Sequence, residues 1–147
     1  TKSAATETMI VILTAATMVD RKSRYLAAAR ILTRRPDDTS NAIYKALDGL
    51  PVKSISLDNG SEFSSFRQME KHFKAPIYFA KPHAPWQRGT NENTNGLLRF
   101  FFPKGCDFRV ISDEDLDRVI ALLNNRPRKC LDWKTPAEIF FTGVALD

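Results

Sequence analysis

The feature that most constrains the fold is the order in which apolar runs and amphipathic segments alternate along the chain. Residues 10–19 (IVILTAATMV) are β-branched and apolar, which is typical of a buried strand. After the polar turn DRKS, residues 24–32 predict a second strand or a short helix, because their alanines also suit a helix. If both segments are strands, the turn makes them an antiparallel hairpin.

Helices and short strands alternate downstream of this region. Helical spacing and capping residues predict helices over 38–47, 61–73, 91–102, 112–123 and 135–140. Short apolar segments predict strands at 53–57 and 77–79, and the two prolines and the glycine of residues 81–90 predict a loop. Interleaved strands and helices indicate a mixed sheet covered on both faces. At 147 residues the chain is long enough for one such domain.

Charge and apolar patterning exclude several classes of protein. The longest apolar run, Met9 to Val19, has 11 residues and is too short to cross a bilayer. It lacks the upstream basic residues and the small-residue cleavage site of a signal peptide, so we expect no targeting segment. The formal net charge of +5 favours a polyanionic partner only mildly. Cys106 and Cys130 have no CxxC or CxxH pair beside them, so we expect reduced thiols and no zinc site.

Two carboxylates are placed where a divalent metal ion could be held. Asp58 comes at the end of a predicted strand, where open α/β sheets bind ligands, and Glu92 comes in the first turn of the helix over 91–102. Carboxylate oxygens suit Mg²⁺ or Mn²⁺. Each residue also has a structural explanation, since Asp58 is a turn former in Asp-Asn-Gly and Glu92 is favourable at a helix N-terminus.

One face of the predicted helix over 91–102 is polar. Glu92, Asn95 and Arg99 share this face at i, i+3 and i+7. The opposite face is apolar and consists of Leu97, Leu98 and Phe101. The polar stripe suits a metal ion and the phosphate backbone beside it, although an ordinary solvated helix face has the same pattern.

Two further segments are candidate contacts to a polyanion. Trp86 could stack on a base or pack onto the following helix, and Gln87 and Arg88 could hold phosphate oxygens near its N-terminus. His83 is either a phosphate contact or a loop residue. The basic, amide-rich turn at 124–129 (NNRPRK) fits either a solvated helix C-terminus or a DNA backbone contact.

Four segments together resemble the catalytic core of DDE transposases, in the insertion-sequence IS-thirty family, and more distantly retroviral integrases. They are MVDRKSRY (18–25), ISLDNGSEF (55–63), APWQRGTNENTNGLLRFFFPKGCDF (84–108) and LLNNRPRKCLDWKTPAEIF (122–140). The resemblance extends from about Val11 to Phe140. It implies an α/β, ribonuclease-H-like fold in one domain over 1–147, and a transposase that cleaves and transfers DNA strands using Mg²⁺ or Mn²⁺.

The resemblance assigns catalytic and metal-binding roles to two acids. Family members hold two metal ions with an Asp, Asp, Glu triad, and Asp58 and Glu92 match its second and third acids. The first belongs on a strand ahead of the hairpin, yet the chain has no aspartate before Asp20, which matches a hairpin-turn position. We therefore expect the first strand and its acid to be missing, as in a core truncated at its N-terminus, and the chain to be inactive alone.

The resemblance also implies DNA as the partner, at transposon ends and at the target. The residues expected to contact DNA are Trp86, Gln87, Arg88, Asn91, Asn95, Arg99, Lys104, Arg126, Arg128 and Lys129. Joining two ends implies a homodimer or a higher oligomer, in the bacterial cytoplasm near the nucleoid and without a membrane. One alternative is an inactive, DNA-binding or dimerising remnant of a transposase. Another is a generic ribonuclease-H-like nuclease, against which the PWQRGTNEN and NNRPRK segments argue.

Overall fold

A five-stranded mixed sheet organises the fold, in the strand order β3-β2-β1-β4-β5. The structure is a computed structural model that describes residues 6–12, 15–31, 36–57, 66–79, 96–103 and 110–146. The strands are β1 (Thr6–Ile12), β2 (Ala15–Asp20), β3 (Leu26–Arg30), β4 (Ile55–Leu57) and β5 (Ile77–Phe79). The first three strands pair antiparallel, whereas β4 runs parallel to both β1 and β5.

The N-terminal apolar run is divided between two strands. β1 and β2 pair from Thr6 with Asp20 to Ile12 with Ala15, where the sequence predicts one strand over 10–19. β1 occupies the middle of the sheet, so the expectation that the first strand is missing is wrong. The run has no Gly, Pro, Asn or Asp to mark a turn, which is why sequence patterning merges the two strands. β1 contains no aspartate, and its one acid is Glu7.

The turn between β2 and β3 confirms the predicted hairpin. Asp20 is buried, and its carboxylate accepts hydrogen bonds from both the backbone N–H and the hydroxyl of Ser23. Arg24 adopts a left-handed conformation with φ of 65° and donates its backbone N–H to the carbonyl of Asp20. The alanine-rich segment that follows is therefore a strand, because it pairs along its length with β2.

Both faces of the sheet are covered, as the sequence predicts. The helices are α1 (Pro36–Ala46), α2 (Phe66–Phe73), α3 (96–101), α4 (Asp113–Asn124) and α5 (Pro136–Leu146). On one face, Met18 and Ala27 pack in a core that includes Ile43 of α1 and Met69 of α2. On the other face, Val19 and Leu26 pack with Leu98 of α3 and Leu123 of α4.

Helix boundaries agree with the sequence best where a capping residue is present. Ser112 caps α4 as predicted, and its hydroxyl accepts a hydrogen bond from the backbone N–H of Asp115 at 3.1 Å. α5 begins at Pro136 behind a reciprocal capping box between Thr135 and Glu138, with distances of 2.8 and 3.1 Å. α5 continues to Leu146, beyond the predicted end at residue 140, and α1 begins at Pro36, ahead of the predicted caps at 38–40.

Among the described helices, none combines the length and the apolar character that a bilayer crossing requires.

Candidate functional site

Strand β4, which precedes Asp58 in the sequence, lies between β1 and β5 in the parallel part of the sheet. Thr8 of β1 is opposite Ser56 of β4, and Met9 is opposite Leu57. Because β1, β4 and β5 are parallel, their carboxyl ends lie at one edge, where open α/β sheets bind ligands. Asp58 follows Leu57 directly in the sequence but, like Glu92, lies outside the described residues. The convergence of these two carboxylates stays a prediction.

Most of the predicted DNA contacts also lie outside the described residues. They are Trp86, Gln87, Arg88, Asn91, Asn95 and Lys104, together with His83. Within the ranges that the structure describes, no group of three or more His, Cys, Asp or Glu is arranged to hold a metal ion. The candidate metal site therefore rests on Asp58 and Glu92 and their positions in the sequence.

The described part of α3 confirms its predicted apolar face. Leu98 is 3% exposed in the cluster with Val19 and Leu26, and Leu97 and Phe101 are partly buried against the same cluster. Arg99 is half-buried on this helix. Its side chain is available at the surface, and its role as a DNA contact stays a prediction.

The first residue of the basic turn at 124–129 belongs to the core. Asn124 is 4% exposed, its amide donates to the carbonyl of Leu26, and its side-chain oxygen accepts from the backbone N–H of Leu26, both at 2.8 Å. The side chain thereby ties the end of α4 to the start of β3. A sequence signal was available, since Asn124 follows Leu116 and Ile120 at intervals of four, on the helix face that is buried.

The basic residues predicted in this turn remain accessible to a ligand. Arg126 and Lys129 are exposed, and Arg128 is half-buried. Arg128 donates its backbone N–H to the carbonyl of Lys134 at 3.0 Å, and its own carbonyl accepts from the N–H of Trp133 at 2.9 Å. These two hydrogen bonds close the segment from Arg128 to Lys134 into a compact loop.

Trp133 is a candidate surface residue that the sequence analysis missed. Its side chain is 66% exposed, and Asp132 and Trp133 both adopt left-handed conformations, with φ of 58° and 66°. Such a conformation costs a residue with a side chain on the order of 1 kcal/mol, so the surrounding hydrogen bonds must hold it. The available signal was a tryptophan between the charged residues Asp132 and Lys134.

A separate cluster of charged side chains joins α4 to strand β3 and to helix α1. The carboxylate of Asp113 accepts hydrogen bonds from Nε of Arg30 at 2.8 Å and from Nζ of Lys45 at 3.2 Å. These residues line a small open cleft of about 210 Å³ with Asp38 and Asn41. The Arg30 guanidinium, and then the Lys45 ammonium, hold the pKa of Asp113 below its ordinary value of 3.8.

We expect this cluster to contribute to stability in a pH-dependent way. Because the pKa of Asp113 is lower in the folded state, the ionised carboxylate stabilises the fold above about pH 4, and this stabilisation is lost as the pH falls through the folded pKa. The Asp113 side chain is 44% exposed, so Asp113→Asn should lower the free energy of unfolding at pH 7 by less than about 1 kcal/mol.

Urea unfolding at pH 7 and pH 3 measures this effect. The difference between the native chain and Asp113→Asn should shrink at pH 3. Asp117→Asn, an exposed acid on the same helix, is the matched control and should show no such change. An Asp113→Asn effect of equal size at both pH values would contradict the assignment.

Curated proteins similar to this chain include transposases of insertion sequences. The transposase InsI for insertion sequence element IS30A of Escherichia coli (strain K12) is 44% identical over 134 residues, which are 89% of this chain and 35% of that protein. The transposase for insertion sequence element IS1086 of Cupriavidus metallidurans is 38% identical over 135 residues, which are 87% of this chain and 39% of that protein. The chain thus spans a little over a third of the length of these relatives.

The solved structures that are similar to the chain agree with this fold. The catalytic core domain of BIV integrase superposes with a TM-score of 0.76 at 18% identity, covering 98% of this chain and 97% of that one. No protein-family model matches the chain. The likeness in structure confirms the ribonuclease-H-like, α/β fold class that the sequence predicts, with its mixed sheet between helices.

Proposed function

This chain belongs to the IS30-type family of insertion-sequence transposases, and from that premise we propose that it is the core of an enzyme that cleaves and joins DNA strands with divalent metal ions. The supporting observation is the 44% identity that extends over 89% of the chain. The sheet supports it further, because β4 ends at Leu57, the residue before Asp58 in the sequence, at the edge where open α/β sheets bind ligands.

The proposed site assigns a separate task to each group of residues. Asp58 and Glu92 bind the metal through carboxylate oxygens, a donor set that fits Mg²⁺ or Mn²⁺. When bound, the metal supplies activation of a water or hydroxyl nucleophile and stabilisation of the leaving oxygen. Trp86, Gln87, Arg88, Asn91, Asn95, Arg99 and Lys104 position the DNA strand beside these acids. Arg126, Arg128 and Lys129 bind its backbone, because their charges are accessible at the surface.

The partners follow from the proposed reaction. The DNA substrates are the transposon ends and the target, and bringing two ends together requires a homodimer or a larger assembly. A DNA-processing enzyme of this kind would act in the bacterial cytoplasm, at the nucleoid.

Calorimetric titration of Mn²⁺ into the purified chain tests the metal site. We expect either Asp58→Asn or Glu92→Gln to weaken binding by at least about tenfold, because each removes a charged ligand from one shared site. Glu114→Gln, which removes an exposed acid at the start of α4, is the matched control and should bind as the native chain does. Equal Mn²⁺ affinity in all four proteins would refute the proposal that the two acids converge.

DNA cleavage by the native chain and by Glu92→Ala tests whether the chain is active alone. Since β1 carries no aspartate, we propose that Asp58 and Glu92 hold metal too weakly for efficient DNA cleavage. Mg²⁺-dependent cleavage by the native chain that Glu92→Ala abolishes would overturn this. The absent aspartate also favours the alternative of a DNA-binding or dimerising remnant, which predicts DNA binding without Mn²⁺ binding.

A further inference from the structure

The loop that follows α4 presents a tryptophan to solvent on a fixed backbone. Lys134 donates its backbone N–H to the carbonyl of Leu131 at 3.1 Å, and Trp133 donates its N–H to that of Arg128 at 2.9 Å. Leu131 is buried and anchors the loop. In the part of the chain that the structure describes, the indole of Trp133 has no ring contact and remains 66% exposed. A large apolar side chain is thus held in place without being used for packing.

Positive charge surrounds this tryptophan. The segment 126–134, here the tryptophan loop, has four basic residues and one acid, so its formal charge is 4 − 1 = +3. The basic residues are Arg126, Arg128, Lys129 and Lys134, and the acid is Asp132. None of the four makes an ion pair with a carboxylate of the described residues, whereas Arg30, Lys45 and Arg118 each do. The charge of the loop is therefore available to an external anion.

We propose that the tryptophan loop binds a DNA strand by stacking Trp133 on an exposed base while Lys134 and its basic neighbours contact the adjacent phosphates. An aromatic face stacks on any base, and basic side chains bind phosphate without regard to sequence. The site prefers a single strand or an unpaired base, because stacking in an intact duplex covers the base faces. The inference rests on the proposed function and adds Trp133 and Lys134 to it.

Fluorescence and anisotropy titrations of the full chain test this assignment. The chain has two tryptophans, so the difference in emission between the native chain and Trp133→Phe reports on Trp133. We expect a single-stranded oligonucleotide to quench this part of the emission, and an intact duplex of the same sequence to quench it less. Anisotropy of the labelled single strand should show about tenfold weaker binding for Trp133→Ala, whereas Trp133→Phe retains most of the affinity.

Matched variants show whether a change in DNA affinity comes from stacking and charge or from the loss of any exposed side chain. Leu122→Ala removes an apolar side chain that is also more than half exposed, at 55%, and should not change DNA affinity. Lys134→Gln should reduce the slope of log K against log salt by about 0.7, the value for one phosphate contact to a single strand. Lys71→Gln, an exposed lysine of α2, should leave that slope unchanged.

Several results would overturn the assignment. One is an unchanged DNA affinity of Trp133→Ala, and another is no quenching of the Trp133 fluorescence by DNA. A third is that Trp133→Ala changes the sedimentation of the protein but not its DNA affinity, which would make the loop a contact between protein chains. If Trp133→Ala fails to fold, the quenching and the Lys134→Gln slope decide the question. If Trp133 does not bind DNA but Asp58 and Glu92 bind Mn²⁺, the proposed function stands and the assignment of the tryptophan loop is wrong. If Trp133 binds DNA but Asp58 and Glu92 do not bind Mn²⁺, the assignment of the loop stands and the proposed function is wrong.

Discussion

Replacing Asn124 with leucine should lower the free energy of unfolding by about 2–6 kcal/mol. Leucine has a similar shape but cannot hydrogen-bond, so the backbone N–H and C=O of Leu26 would both lose their partner. Leu26 and Asn124 are 1% and 4% exposed, so water cannot easily replace the lost bonds. A buried polar group left unsatisfied costs about 1–3 kcal/mol, and here there are two.

The adjacent asparagine is the matched control for this experiment. Asn125 is exposed, and its amide donates to the carbonyl of Ala121 within α4. Asn125→Leu should therefore cost less than about 1 kcal/mol. Urea unfolding of the native chain and both variants measures the two values. Equal losses of unfolding free energy in the two variants would show that the hydrogen bonds between Asn124 and Leu26 do not stabilise the fold more than a surface contact does.

Truncating Phe140 to alanine should destabilise the fold by about 3–5 kcal/mol. The side chain has no exposed surface, and its ring stacks on Tyr25 with a centroid distance of 4.4 Å and an interplanar angle of 14°. Removing it leaves a cavity and eliminates an aromatic contact, and such changes fall in this range. The loss would remove the main ring contact between α5 and the turn that joins β2 to β3.

Phe141 provides the comparison for this prediction. It lies next along α5, contacts the edge of Tyr25 at 5.4 Å, and is 49% exposed. Phe141→Ala should therefore cost about 1 kcal/mol, because half of its surface is already in water. Thermal or urea unfolding of both variants checks the difference. A Phe140→Ala effect no larger than that of Phe141→Ala would mean that α5 is not docked through this ring.

Both residues fall within segments that the sequence analysis associated with DNA or with the family resemblance. Asn124 opens the NNRPRK turn, and Phe140 ends the last resembling segment. The structure places both in contacts that hold the fold together, whereas Arg126 and Lys129 of the same turn are exposed. A loss of DNA binding on mutation of Asn124 would therefore arise through unfolding. The exposed basic residues are the ones whose substitution should separate DNA binding from stability.

Local sequence signals predicted the helices better than the strands. The Ser112 cap and the position of Pro136 depend on hydrogen bonds and backbone preferences within about one turn of helix, and a short window of sequence contains this information. The division of residues 6–20 into two strands depends on the pairing of β1 with both β2 and β4. Residues 10–19 contain no residue that favours a turn, so the sequence did not predict the pairing of β1 with β2.

The sequence by itself indicated the family, most of the helices and the two candidate acids, because each is carried by contiguous segments such as LDNG and RGTNEN. Only the tertiary structure decided which members of the basic turn serve the core. Asn124 contacts Leu26, 98 positions away, and Arg128 and Trp133 are brought together by backbone hydrogen bonds that close their loop. Burial and loop closure are properties of the folded chain, and they separate a structural amide from the exposed arginines, lysines and tryptophan beside it.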